Sequence, residues 1–223
     1  MIKRPITLAA LALLLFPLSL GAQWKVGVNA GALYNRFSMD KQYMTDYRYG
    51  GAWGVTTGVS AQYNFTPWLG VRTGLSYGQR NYRHTRTERA DRLDVLYRNS
   101  YFILPVMANF SFGGKAVRGF TDLGVYGGCW TGSHRSGQEF VSIAEESYSF
   151  SEKLALNPEK DQRLDFGFAG SMGIEWQVAS HWAVMAEAFG YYSVVSTVKQ
   201  YMHVKDYRYN TSLGLQAGVY YKF

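Results

Sequence analysis

Residues 207–223 read YRYNTSLGLQAGVYYKF. The odd positions are Tyr207, Tyr209, Thr211, Leu213, Leu215, Ala217, Val219, Tyr221 and Phe223. The even positions are Arg208, Asn210, Ser212, Gly214, Gln216, Gly218, Tyr220 and Lys222. A strand sends alternate side chains to opposite faces, so one face here is apolar with aromatic ends and the other is small and polar. Strands of soluble proteins usually run about 5–6 residues. A strand that crosses a bilayer needs about 9–11 tilted residues, with aromatics at both water interfaces. The pattern predicts a transmembrane β-strand that closes a barrel.

The same alternation recurs upstream, in residues 24–37, 53–65, 68–84, 101–112, 117–131, 163–177 and 182–197. In the third of these, Leu69, Val71, Thr73, Leu75 and Tyr77 face one way and Arg72, Gly74, Ser76 and Gly78 the other. The fifth is the least regular, because Phe120, Tyr126 and Trp130 share a face with Asp122. The connections alternate long and short. Short turns fall at Pro67, Gly113–Gly114 and residues 178–181, and polar loops at about 38–49, 85–96 and 133–160. This predicts an all-β protein, an eight-stranded antiparallel transmembrane β-barrel with short periplasmic turns, long outer loops and periplasmic termini. A soluble barrel would turn its apolar faces inward and show water a polar wall, but the apolar faces here carry hardly a charge.

Residues 1–22 have the layout of a cleaved signal peptide: Lys3 and Arg4, then an apolar run over 6–20, then small residues. That run is shorter than the about 20 residues a spanning helix needs. Cleavage is expected after Ala22, or alternatively after Gly21, leaving 23–223 as a single outer-membrane barrel domain. Without Lys3 and Arg4 the chain keeps 21 basic residues against 16 acidic ones. In an exported protein this balance points to phosphorylated lipid or polysaccharide rather than nucleic acid. Eighteen Tyr and 24 Gly suit a barrel wall, Tyr at the interfaces and Gly where strands curve. The single cysteine, Cys129, excludes an intramolecular disulfide and reads as a small packing residue.

Five stretches carry a family resemblance: YFILPVMANFSF (101–112), GVYGGCW (124–130), RLDFGFAGSMGIEW (163–176), EAFGYYSVV (187–195) and SLGLQAGVYYKF (212–223). They resemble the outer-membrane β-barrel family of Bacteroidetes typified by PorT. The resemblance implies an eight-stranded barrel and, through PorT, an accessory role in type IX protein secretion. Phe223 also resembles the terminal aromatic read by the barrel-assembly machinery.

The inward faces hold Arg72, Asp122, Asp165, Glu175, Glu187 and Lys222. Buried charges in so narrow a barrel must pair, which predicts a structural ion-pair network in the lumen; a gated ion path is the alternative. Arg80, Arg83, Arg86, Arg89 and Arg92 read either as a solvated loop or as contacts to lipopolysaccharide phosphates. KQYMTDYRY (41–49) is nearly repeated in 199–209. With the first and last strands paired, Tyr43, Tyr47 and Arg48 would meet Tyr201, Tyr207 and Arg208 as an outer recognition patch for glycan or protein. Enzyme signatures are thin. His84, His134 and His203 fall in or near outer loops, with Ser133, Ser136 and Glu139 around His134, but sequence proximity does not assemble a nucleophile and base. No cofactor, metal spacing or phosphate loop is read. The expectation is a non-enzymatic structural or accessory barrel whose partners are outer-membrane lipid and lipopolysaccharide, the assembly machinery, and secretion or surface-assembly proteins. A small channel and a lipid A-modifying enzyme are the alternatives.

Overall fold

The computed structural model describes residues 23–39, 47–86, 93–141, 146–199 and 207–223. Residues 1–22, read above as an export signal, lie outside that set. Ten strands follow in order: β1 Gln23–Met39, β2 Tyr47–Asn64, β3 Leu69–Gln79, β4 Tyr82–Arg86, β5 Leu93–Gly113, β6 Val117–Val141, β7 Glu146–Leu154, β8 Leu164–Gln177, β9 Trp182–Ser193 and β10 Arg208–Lys222. Eight of them form a closed antiparallel ring, β1–β2–β3–β5–β6–β8–β9–β10 and back to β1. The 207–223 stretch joins the ring's ends, with Val28 opposite Val219 and Ala32 opposite Leu215.

One end of the ring is made of tight turns. In the first, the Phe65 N–H donates to the Leu69 carbonyl at 3.0 Å and the Leu69 N–H to Thr66 Oγ1 at 2.9 Å. In the second, Gly113 takes φ of +112°, a conformation open to glycine, and the Gly114 N–H closes onto the Val117 carbonyl. Gln23 and Phe223 lie at this same end, where the Phe223 N–H donates to the Trp24 carbonyl.

The other end departs from the sequence expectation. The supposed loop over 85–96 is partly β-structure, with β4 pairing β2 on one side and the start of β5 on the other. The supposed loop over 133–160 begins as a hairpin, β6 running on to Val141 and pairing β7. Alternation is sustained there by polar residues, so hydrophobicity does not mark it. Two irregularities also interrupt the strands, and the second resets which face is inside. β3 ends before Arg80 and Asn81, which are both buried. In β6, Thr131 has no partner between Trp130 and Gly132, a bulge opposite Ser100/Tyr101. A bulge shifts the two-residue period by one. Beyond it Ser133, not His134, is buried.

Between these ends the outward face is apolar. Val28, Leu123, Phe168, Met172 and Leu215 are each at least 60 % exposed. Trp24, Phe65, Trp68, Phe112, Trp176 and Trp182 mark the tight-turn end of this belt; Tyr34, Trp53, Phe102 and Tyr192 mark the other. From Trp24 to Tyr34 the strand climbs about 33 Å at about 3.3 Å per residue, or about 25 Å along an axis from which it tilts about 40°. That is the height of a hydrocarbon core. Cys129 faces outward and is exposed rather than packed, and Arg163, at the head of the 163–177 stretch, is exposed too. The irregular face of the fifth predicted strand points in, with Phe120, Asp122 and Tyr126 all buried.

Candidate functional site

The buried polar chemistry lies within the ring. The inward positions of β8 give its depth: Glu175, Ser171 and Asp165 lie successively farther from the tight turn after Gln177, and each belongs to a different cluster. Nearest the turns, the Lys25 Nζ donates to Glu175 at 2.8 Å and the Lys222 Nζ lies 2.6 Å from the same carboxylate. Lys222 also donates to Gln177.

The second cluster surrounds Arg72. Its guanidinium pairs with Glu187 and, at 2.9 Å, with Asp122, and donates to Ser171 at 3.2 Å. Asp122 accepts further bonds from Asn109 and, at 2.8 Å, Ser171; Glu187 accepts one from Gln216 at 3.0 Å. Phe120 lies under the Arg72 guanidinium, 5.3 Å from carbon to ring centroid. Gly27 leaves room for the neighbouring Tyr220, since a Cβ there would come within 2.7 Å of the ring.

The third cluster surrounds Arg80, which is wholly buried. It pairs with Asp165, which also accepts from Ser193 and, at 3.0 Å, from the Tyr126 hydroxyl. The rings of Tyr101, Tyr126 and Tyr191 stand 4.9, 5.0 and 5.7 Å from the guanidinium carbon. Farther out, Asn35 donates to Asn210 at 3.1 Å and accepts from Ser212 at 2.7 Å. The Tyr82 ring stacks between Phe37 and Tyr97 at 4.5 and 4.7 Å, capping the polar column.

The six lumen residues named from sequence therefore fall into three clusters rather than one network. Two members were missed. Lys25 lies on the polar face of the alternating stretch 24–37 and was not named among the pairing charges. Arg80 was grouped with the arginine series read as solvated or phosphate-binding, and that reading is corrected: the even-numbered parity of Arg72, Gly74, Ser76 and Gly78 already points it inward. Among the described residues four cations (Lys25, Arg72, Arg80, Lys222) then meet four carboxylates (Asp122, Asp165, Glu175, Glu187). A void of about 20 Å³ remains beside Arg72, room for about one water.

Of the rest of the arginine series, Arg83 pairs with Asp94 at 2.7 Å in the open, Arg86 stands opposite Leu93, and Arg89 and Arg92 lie outside the described residues. Of the proposed recognition patch, Tyr43 and Tyr201 lie outside them too. Tyr47 begins β2 opposite Arg86, and Arg48 stands opposite Thr85. Tyr207 stacks on Tyr209 at 6.2 Å, and Arg208 stands opposite Met39. The two sets thus flank β1. Phe223 is exposed and meets Tyr221 edge-on at 5.1 Å.

The Ser/His/acid pieces are separated. Ser133 is turned inward and donates to Asn99 at 2.8 Å. His134, on the opposite face, meets Ser151 at 2.9 Å. Glu139 accepts from the Tyr148 hydroxyl at 3.2 Å, which raises the tyrosine's pKa above its ordinary value. Glu152 is taken by Arg135. No group of three or more His, Cys, Asp or Glu placed to hold a metal occurs among the described residues.

Residues 17–199 match the family described as outer membrane protein beta-barrel domain. Among solved structures, OprG from Pseudomonas aeruginosa aligns over 91 % of this chain and 96 % of its own, at 14 % identity and a TM-score of 0.53. Neisserial surface protein A aligns over 91 % and 99 %, at 16 % identity and a TM-score of 0.47. No curated protein matches. The likeness to OprG is one of fold.

Proposed function

We propose, from the premise that this chain belongs to the outer membrane protein beta-barrel domain family, that it is a closed, non-enzymatic barrel serving as a structural or accessory component through its outer end. The family places it in the outer membrane. The observation that carries the reading is the filled lumen. Among the described residues every lumen carboxylate has a cation beside it, and the space left at the Arg72 cluster is about 20 Å³. Separating buried pairs to open a path would leave charges unmatched at about 3–5 kcal/mol each.

With the lumen closed, the variable work falls to the strand extensions and loops at the open-hairpin end. There Arg83, Arg135, Tyr148 and Tyr207 offer charged forks and aromatic faces to lipopolysaccharide or to a protein. Secretion, type IX in particular, or surface assembly is the finer reading, supported by the PorT-like stretches over 101–112 and 212–223. On this reading the tight turns face the periplasm, residues 1–22 serve as the export signal, and nucleic acid is not a partner.

A pull-down from native membranes in mild detergent, sized on native gels, tests the accessory role. Reproducible co-purification of secretion or surface-assembly proteins is expected, and a lone barrel would sink it. Planar-bilayer recording tests closure. No stable conductance is expected; steps that change on Arg72→Met would favour the channel alternative. Lipid A of unchanged mass on expression is expected of a non-enzyme.

A further inference from the structure

The tight-turn mouth of the ring opens into a vestibule of about 600 Å³. Lys115, Arg118, His181 and Lys222 line it, and no Asp or Glu side chain is among its lining residues. Directly behind it, Lys25 and Lys222 already share the single carboxylate of Glu175. Four cations therefore stand against one carboxylate at this mouth. The extra carboxylate of the deeper Arg72 cluster, and one at the end of Phe223, reduce that surplus without cancelling it.

Arg118 is oriented but not satisfied. One guanidinium nitrogen donates to the Pro67 carbonyl, which holds the side chain across the mouth. Its Nε is buried and has no hydrogen-bond partner among the described residues. The Arg118 fork, two ammonium groups and the hydroxyl-bearing Thr66 and Ser180 line one cavity and make a set of donors suited to an acceptor-rich ligand. A tetrahedral oxyanion with several acceptor oxygens uses such a set; a single carboxylate leaves donors unmet.

We propose that this vestibule is a binding site for a phosphate group, with Arg118 as its principal contact and Lys115 and Lys222 supplying charge. The site does not depend on which side of the membrane the mouth faces, nor on the role of the opposite end. It gives the tight-turn end a ligand chemistry of its own, distinct from the column above, where Arg72 and Arg80 meet three carboxylates.

The test uses the full chain folded in phosphatidylcholine bilayers and titrated calorimetrically with inorganic pyrophosphate, in parallel with Arg118→Gln, Lys115→Gln and the outer-end control Arg163→Gln, a residue exposed at the head of β8. Saturable binding at one site is expected, weakened at least about tenfold by Arg118→Gln, as loss of a charge-assisted bond implies. Lys115→Gln should weaken it less, and Arg163→Gln should leave it unchanged. Added phosphatidic acid separates the sources: a fall in apparent pyrophosphate affinity identifies a lipid phosphate as the occupant, and no change identifies a free one. Absence of saturable binding, or binding that Arg118→Gln and Lys115→Gln leave intact (an adventitious ion only), overturns the proposal.

Discussion

Arg72 and Arg80 stand eight residues apart on one chain segment, point into the same lumen and are both buried, yet the fold neutralises them differently. Arg72 faces two carboxylates, and each of these is held by further donors from neighbouring strands. Arg80 faces one carboxylate and three tyrosine rings, and its Nε and Nη2 have no hydrogen-bond partner among the described residues. The first solution is a charge lattice, strong only while every member is present. The second spreads the cost over ring faces, which attract a desolvated cation without demanding an exact angle. A strand can thus bury a guanidinium in either setting, provided the facing strands supply one or the other.

The comparison breaks most readily at Arg72. Arg72→Met leaves Asp122 and Glu187 facing each other without a cation, and should cost about 4 kcal/mol in denaturant unfolding of the folded barrel in detergent. Adding Asp122→Asn and Glu187→Gln should restore most of that loss, because the penalty lies in the orphaned charges; a triple variant no more stable than Arg72→Met would refute the lattice picture. Arg80→Met should cost less, about 2–3 kcal/mol, since Asp165 keeps its bonds from Ser193 and Tyr126 and the methionine packs against the rings. Equal losses at the two arginines would erase the distinction drawn here.

Tyr126→Phe sharpens it further. The ring face over Arg80 stays and only the hydroxyl bond to Asp165 goes, so about 1–2 kcal/mol is expected by the same unfolding measurement. At the small end, Arg135→Gln removes a cross-strand pair with Glu152 that is open to solvent, and a change of no more than about 0.5 kcal/mol is expected, vanishing at high salt. A large effect there would mean that the β6–β7 hairpin is part of the cooperative core.

The alternation that marks Leu213, Leu215, Ala217 and Val219 as wall residues marks Arg72 and Lys222 as lumen residues by the same rule. Arg80 shows where that reading stopped too early: the arginines that follow it drew it into a series read as solvated or phosphate-binding, although its parity with Arg72 held. Lys25 sat on the right face but lacked a visible partner. His134 could not be placed at all from sequence, because the bulge at Thr131 shifts every later residue of β6 to the opposite face. The β4 and β7 strands were hidden for a related reason, since outside the membrane belt a strand needs no apolar face to mark it.

The sequence by itself determined the ring: its strand pattern, its apolar wall and which end carries the tight turns. These follow from a local two-residue period and from turn chemistry, and neither needs a distant contact. Only the tertiary structure decided who pairs with whom. Lys25 meets Glu175 across 150 residues and Arg80 meets Asp165 across 85. Closing the ring sets those partners, through the stagger of eight strands and the bulge in β6 that resets its face, and no local pattern encodes that stagger.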